Sequence, residues 1–372
     1  MALAPLDTRS HLRVSAARAP RQPLSPLFEL RPEMNWIDFS GAANPLGTPQ
    51  SFIDAMREAA ASGELSYAPD RRSHAFRSVL AGDYGLPAGS FLVGNSVSEL
   101  IHAIAQTFEP CTVGVSAPGP AEYALAASNA GHEVLRLTGP SSFVVPDREA
   151  ACRGGAGVDA AILANPSYPT SRLLPKPTLL SYLDSCTWVV VDERSIELSV
   201  GGESMVPLIA DHENLFVIHS LSESFALSGT PISYCIAQPA AIDEVGRYFD
   251  SSSVSMFPEV FGNVVTREKG HLERARDFLE GEIPWMQCML NLLPGVRVFP
   301  AEANFIMCSF EATEEMDLGV ESCSELVDRL QLAGFLVRKL EDMAPLDGRY
   351  FCVAVRRHED NEALLHAMRE II

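Results

Sequence analysis

The sequence predicts an α/β fold: a large domain with a mostly parallel sheet wrapped by helices, followed by a smaller α+β domain. First, short apolar runs alternate with amphipathic helical stretches between residues 90 and 218. Second, runs such as Trp188-Val189-Val190-Val191 are apolar at every position, which is typical of strands covered on both faces. Strands and helices in this alternation indicate a parallel sheet between two helical layers.

Each element of the large domain follows from its own pattern. Leu100, Ile101 and Ile104 recur at helical spacing and predict one apolar helix face. Gly131 follows another such stretch and suits the end of a helix. We predict strands over residues 90–93, 112–116, 132–137, 160–163, 187–191 and 215–218, and helices over 98–107, 121–130 and 176–185.

The C-terminal part changes pattern after about residue 260. A long helix over 264–280 leads into a unit that we predict to contain strands at 296–299, 304–309, 335–338 and 350–354 and a closing helix at 361–371. We therefore place the large domain at 36–260 and the small domain at 261–372. Residues 1–35 are rich in arginine and proline, and prolines disfavour the amphipathic helix of a transit peptide. We expect an arm that packs on the small domain or on a partner subunit.

Composition excludes several classes of function. The formal net charge of −20 argues against nucleic-acid binding, because phosphate contacts need clustered cations. No apolar run approaches the roughly 18 residues of a membrane span, so we expect no membrane partner. The eight cysteines are scattered without a C-x-x-C pair, which favours reduced thiols in a cytoplasmic protein and no metal site.

Polar residues follow four of the predicted strands. Carboxyl ends of parallel strands meet at one edge of the sheet, where ligands bind, so these residues predict one pocket. Free amides at the helix start after Gly94 would suit a phosphate, although a plain capped helix explains the same residues. A carboxylate at Asp192 is either a cap or the partner of a cationic ligand atom. The residues concerned are Gly94, Asn95 and Ser96; Asn165; Asp192 and Glu193; and His219, Ser220, Ser222 and Glu223.

The order of motifs along the chain resembles a known family. The motifs are Ile37 to Ser40 with Asn44-Pro45-Leu46-Gly47, Tyr67-Ala68-Pro69-Asp70, Gly94-Asn95, Ala117 to Tyr123, Asn165 to Thr170, Asp192-Glu193, Ala303-Asn304-Phe305, and Arg349 to Arg356. From about residue 36 onward the chain resembles class I/II aminotransferases, which are fold-type I pyridoxal phosphate (PLP) enzymes. Within them it is similar to threonine-phosphate decarboxylase and histidinol-phosphate aminotransferase.

The resemblance implies a fold-type I architecture, a homodimer and a role for each site residue. Asp192 would pair with the pyridine nitrogen, Asn165 would bond the ring hydroxyl, and Tyr123 would stack on the ring. Tyr67 would reach a phosphate of the neighbouring subunit. The remaining ligand-binding residues would be Ser220, Ser222 and the amides of Gly94, Asn95 and Ser96 in the phosphate cup, with Asn44 and Arg356 from the flanking motifs.

The departures from the family fall on the chemistry. Glu223 stands where the family has its Schiff-base lysine, and a carboxylate cannot form an imine. Pro231 and Cys352 stand where the family has arginines for the cofactor phosphate and the substrate carboxylate, and Ser195 replaces an aromatic residue. The chain has only three lysines, which we expect away from the strand ends: Lys176, Lys269 and Lys339.

Three hypotheses follow from these departures. The first is a PLP-independent biosynthetic enzyme acting on a small amino-acid-like or phosphorylated metabolite, with Glu223 as acid or base beside Asp192. His219 and Cys352 are optional helpers there, Cys352 being equally explained as an inert buried thiol. The second is an enzyme that binds PLP or pyridoxamine phosphate (PMP) without a covalent bond. The third is a non-catalytic binding protein. An ordinary aminotransferase or decarboxylase fits the sequence least, so we expect no covalently held cofactor.

Overall fold

A computed structural model describes residues 36–139, 143–153, 157–313 and 318–372. The predicted arm at 1–35 lies outside the described residues. The chain from Ile37 to Ile372 forms one compact unit, and its division near residue 260 into a large and a small domain stays a prediction. None of the helices in the described ranges combines the length and the apolar character that a membrane crossing needs.

The described residues form thirteen strands and twelve α-helices. The strands are β1 (Ile37–Asp38), β2 (Phe91–Gly94), β3 (Thr112–Ser116), β4 (Glu133–Leu137), β5 (Ala160–Ala164), β6 (Trp188–Asp192), β7 (Leu215–Ser220), β8 (Ser233–Ile236), β9 (Val296–Val298), β10 (Phe305–Phe310), β11 (Phe335–Leu336), β12 (Arg338–Lys339) and β13 (Tyr350–Ala354). The helices are α1 (Gln50–Ser62), α2 (His74–Tyr84), α3 (Val97–Thr107), α4 (Ala121–Asn129), α5 (Arg148–Ala151), α6 (Lys176–Leu183), α7 (Leu221–Ser224), α8 (Pro239–Val245), α9 (Phe257–Val265), α10 (Lys269–Asn291), α11 (Cys323–Leu332) and α12 (His358–Ile371).

A seven-stranded sheet in the order β2-β8-β7-β6-β5-β3-β4 organises the large domain. All neighbours from β7 to β4 are parallel, and β8 alone runs antiparallel to β7 and β2. Alternate residues of one strand enter two different cores. Trp188 and Val190 pack with α3, α4 and α8, whereas Val189 and Val191 pack with α1, α2, α6 and α9. The predicted α/β fold with a doubly covered, mostly parallel sheet is confirmed.

The C-terminal part contains a four-stranded antiparallel sheet in the order β12-β13-β10-β9, covered by α10, α11 and α12. The strand predicted at 335–338 is two strands, because β11 pairs with β1 while β12 pairs with β13. The helix predicted at 264–280 is α10, which runs on through Pro284. Leu279, Ile283, Met286 and Leu290 are buried on its core face, and this packing outweighs the low helix propensity of proline.

Candidate active site

Three of the predicted site residues meet at the carboxyl edge of the large sheet. Asp192 and Ser220 end the neighbouring parallel strands β6 and β7, and Asn165 follows β5. The backbone N–H of Asn165 donates to the carbonyl of Asp192 at 2.9 Å. The side-chain oxygen of Asn165 accepts from the backbone of Leu174 at 2.9 Å, so a ligand would meet its amide nitrogen.

The Asp192 carboxylate is buried and surrounded by donors. Its Oδ2 accepts from the Tyr123 hydroxyl at 2.5 Å and from the Arg194 guanidinium at 2.5 and 2.8 Å. Its Oδ1 accepts from the backbone N–H of Arg194 and from its Nε, both at 3.1 Å. A carboxylate offers about four lone-pair sites, so these five contacts saturate it.

Arg194 bridges Asp192 to Glu122, whose Oε1 lies 2.6 Å from the guanidinium. The arginine and Glu122 side chains are 25% and 28% exposed, whereas Asp192 is 1% exposed, so the bridge runs from the interior to the solvent edge. Burial alone would lower the pKa of Arg194, but the charges of Asp192 and Glu122 outweigh it and raise this pKa well above its ordinary value. Sequence reasoning missed Arg194, although an arginine two residues after a strand-end aspartate was a readable signal.

Tyr123 lies in α4 and is almost fully enclosed. Burial, followed by the negative charge of Asp192, raises the pKa of its phenol well above the ordinary value. The phenol therefore stays protonated and donates to Asp192. The resemblance implies ring stacking for Tyr123, which stays a prediction; in the structure its hydrogen bond to Asp192 fixes the orientation of the ring.

Glu223 lies in α7, directly after β7. Its Oε2 is buried and has no hydrogen-bond partner. Burial raises the pKa of the carboxyl, the nearby Arg194 opposes this, and Asp192 adds to the rise. A carboxyl whose pKa is raised gives up and takes back a proton closer to neutral pH than an ordinary glutamate does, which suits an acid or base acting on a bound molecule.

The segment around Asn44 holds α7 from outside. The backbone N–H of Asn44 donates to the carbonyl of Glu223 at 2.9 Å, and its side-chain amide donates to Ser224 at 2.8 Å. The side chain of Asn304 donates to the carbonyls of Ala42 and Ala43 at 2.9 and 3.1 Å. Asn44 was predicted as a ligand-binding residue, and in the structure both its N–H groups position the backbone of α7.

The helix start predicted to form the phosphate cup is capped by its own side chains. The hydroxyl of Ser96 accepts from the N–H of Glu99 at 3.1 Å, and the Asn95 N–H donates to the Glu99 carboxylate at 2.9 Å. Gly94 leaves room for this arrangement, because a Cβ there would lie 3.1 Å from Glu99 Oε2. The Ser220 hydroxyl accepts from the N–H of Ser222 at 3.2 Å.

His219 lies on the opposite face of the sheet from Asp192. Its Nε2 is 3.0 Å from Glu193 Oε2, and its Nδ1 is 3.2 Å from the Tyr84 hydroxyl. Burial alone would lower its pKa, but hydrogen bonds to Glu193 and Glu197 raise the pKa of His219 to about 9. The structure therefore does not bring His219 to the Asp192 pocket.

Of three further predicted residues, two make other contacts and one is exposed on the surface. Cys352 is buried in β13 in one apolar cluster with Tyr168, and burial raises the pKa of its thiol to about 12. Arg356 donates to the carbonyl of Asp38 at 2.9 Å and lies over the Phe39 ring. Tyr67 is 79% exposed on a surface turn before α2.

The comparisons with known proteins decide the family. The family model for aminotransferase class I and II matches residues 34–368. The chain belongs to this family. A threonine-phosphate decarboxylase of Salmonella typhimurium is 28% identical over 90% of this chain and 91% of its own length. A histidinol-phosphate aminotransferase of Desulfitobacterium hafniense is 29% identical over 88% of this chain and 90% of its own length.

Solved structures agree on the fold of this aminotransferase-family chain. The histidinol-phosphate aminotransferase of Clostridium acetobutylicum superposes with a TM-score of 0.80 at 23% identity, covering 90% of this chain and 98% of that one. The enzyme of Sinorhizobium meliloti, solved in complex with pyridoxal-5'-phosphate, gives 0.77 at 19% identity over 95% and 98% of the two chains. The predicted family and fold type are confirmed, and enzymes of this family normally use PLP.

The three lysines of this family member lie away from Asp192 and Glu223. Lys176 is exposed at the start of α6. Lys269 forms an ion pair with Asp83, and Lys339 is bonded to Asp328 at 2.7 Å. Within the described ranges, no group of histidine, cysteine and acidic side chains could hold a metal ion.

Proposed function

We propose that this chain is a PLP-independent biosynthetic enzyme that acts on a small amino-acid-like or phosphorylated metabolite, with Glu223 as its acid or base. One observation carries the proposal. A buried carboxyl oxygen without a partner stands at the position where the family resemblance places the lysine. Because such a group costs folding free energy, its presence near Asp192 and Arg194 favours a role in chemistry.

The residues of the site do not fit PLP. No lysine stands beside Asp192 to form an imine, and Pro231 offers no N–H or charge to a phosphate. The carboxylate that should receive a ring nitrogen is saturated by Arg194 and Tyr123. We therefore propose a reaction that does not use this cofactor.

The chain's own groups define what the site can do. In its acid form Glu223 donates a proton to a basic atom of the substrate, and the resulting carboxylate takes a proton back in the reverse half of the cycle. Arg194 stabilises the carboxylate that forms, since its positive charge lowers the pKa of Glu223. Asn165 offers an amide nitrogen at the same edge.

The test uses substrates named by the relatives. We would incubate the protein with L-threonine O-3-phosphate, histidinol phosphate, and the parent amino acid and amino alcohol in D₂O, and follow proton exchange and product formation by NMR. We expect turnover of at least one compound, lost at least 100-fold in Glu223→Gln. The matched control is Glu244→Gln, which makes the same change on exposed α8. Full activity of Glu223→Gln would overturn the proposal, and tight binding of a compound without turnover would favour the non-catalytic alternative.

We propose in addition that the protein is a cytoplasmic homodimer. Leu65 and Tyr67 are 65% and 79% exposed beside a groove of about 390 Å³ between α1 and α9. Exposed large apolar side chains at a groove favour an interface. Light scattering should give twice the chain mass of 40.3 kDa, and Tyr67→Ala should weaken the association.

A further inference from the structure

Arg194 is an internal cation placed where a ligand's cation would be expected. Both oxygens of Asp192 accept hydrogen bonds from Arg194, at 2.5 to 3.1 Å. The guanidinium donates to both oxygens, and the backbone N–H donates to Oδ1. The third donor is the Tyr123 hydroxyl on Oδ2. Neither oxygen is left with a free direction for a hydrogen bond from a bound molecule.

Two elements of the fold build this arrangement. The chain turns after β6, so that the N–H of Arg194 bonds the side chain of Asp192 and the guanidinium folds back onto the same carboxylate. On its other side, Glu122 in the first turn of α4 holds the guanidinium at 2.6 Å. Since Tyr123 is the next residue of α4, one helix start fixes both donors of Asp192.

The charges decide which ligands the site accepts. The protonated ring nitrogen of PLP or PMP gains its stability from an unpaired aspartate. Here the aspartate is already neutralised, and a second cation at the same carboxylate would be repelled by Arg194. A ligand could take that place only by displacing a guanidinium that is bound at both ends.

We propose that Arg194 is a specificity-determining residue: it holds Asp192 in place of a ligand's protonated ring nitrogen, so the pocket excludes PLP and PMP. Both this inference and the proposed function hold that the protein does not bind PLP, but the inference does not depend on Glu223 being catalytic. Cofactor binding tests the inference and turnover tests the proposed function, so the failure of one is distinguishable from the failure of the other.

The experiment is a calorimetric titration of the full chain with PLP and with PMP. Arg194→Gln keeps a hydrogen-bonding amide beside Asp192 and removes the cation, while Arg194→Ala removes both. We expect both variants to bind PMP at least ten-fold more tightly than the wild type. Arg247→Ala removes an arginine from an exposed ion pair and should behave as the wild type does.

A second readout keeps the inference testable if Arg194→Ala folds poorly. After unbound PLP is removed, Glu223→Lys should retain no PLP absorbance, whereas Arg194→Gln/Glu223→Lys should retain an imine band that borohydride removes. Equal PMP affinity of the wild type and Arg194→Gln would overturn the inference, whether both bind or neither does. A band of equal strength in the single and double variants would overturn it as well.

Discussion

At the carboxyl edge of the large sheet, ionisable side chains on the two faces have different surroundings. On one face, Asp192 is part of a bridge that reaches solvent, and beside it Glu223 has a buried oxygen without a partner. On the other face, His219 lies between the buried carboxylate of Glu193, at 3.0 Å, and the half-buried carboxylate of Glu197, at 3.8 Å. Adjacent residues of one strand end, Asp192 and Glu193, thus enter opposite environments.

The buried polar side-chain atoms around His219 all have hydrogen-bond partners within the described residues. Glu193 also accepts from the Ser204 hydroxyl at 2.5 Å and from the N–H of Met205 at 2.7 Å. Glu197 accepts from the Ser224 hydroxyl. A closed network of this kind stabilises and orients the fold, whereas an unsatisfied acid reduces stability and is available to a ligand. The contrast separates a structural cluster from a candidate functional one.

The largest expected effect is on the satisfied face. His219→Ala leaves the buried carboxylate of Glu193 and the half-buried carboxylate of Glu197 without their counter-charge, so we expect the free energy of unfolding to fall by about 3 kcal/mol. Urea unfolding measures it. His366→Ala, which truncates an exposed histidine in α12, should change stability little. A loss no larger than that of the control would show that the network is not structural.

The pH dependence of stability sharpens the same contrast. His219 titrates at a pKa of about 9 in the folded protein, above its ordinary value of 6.5. Its contribution is therefore complete below about pH 6.5 and is lost as the pH rises through about 9, by roughly 3 kcal/mol in total. We would measure the unfolding free energy of the wild type minus that of His219→Gln between pH 6 and 10. A difference that stays constant over this range contradicts the assignment.

A smaller effect of opposite sign is expected on the other face. Glu223→Met replaces an unsatisfied buried carboxyl by an apolar chain of similar length, and we expect a gain of about 1 kcal/mol in unfolding free energy. Glu197→Met breaks the closed network and should lose stability. Chemical denaturation of the two variants in parallel tests the contrast, which fails if both lose stability equally.

The smallest expected effect concerns Cys352. Because burial raises the pKa of this thiol to about 12, it is protonated at neutral pH and should be unreactive. Iodoacetamide followed by mass spectrometry should modify the exposed Cys288 and leave Cys352 unmodified in the folded protein. Rapid labelling of Cys352 would restore it as a candidate helper of the pocket.

Much of the architecture followed from local pattern. The strands at 112–116 and 350–354 were predicted to the residue, because apolar runs bounded by turns mark buried strands clearly. The strand β8 was not predicted, and its antiparallel direction could not have been, because a short apolar run does not indicate the direction of a strand. Asp192, Asn165 and Ser220 met as expected because strand ends in a parallel sheet are adjacent.

Side-chain direction was harder to predict than position. Asp192 and Glu193 are consecutive, so alternation indicates that they face opposite sides, but only the register of β6 against β7 places His219 with Glu193. Arg194 folds back through a turn whose geometry depends on its hydrogen bond to Asp192. The sequence pattern predicts which face of a regular element is buried. The pairing of His219 with Glu193 and the return of Arg194 onto Asp192 were missed because both depend on contacts at the ends of strands.

Residues 42–44, here called the strap, limit where the chain can gain or lose residues. Asn304 fixes Ala42 and Ala43, and Asn44 fixes the carbonyls of Glu223 and Ser224. These anchors are one residue apart, so the strap has no slack to absorb an insertion. An added residue between Ala43 and Asn44 would shift α7 or detach the strap from Asn304. We expect relatives with an acid at the position of Glu223 to show length variation on either side of residues 42–44 but not within them.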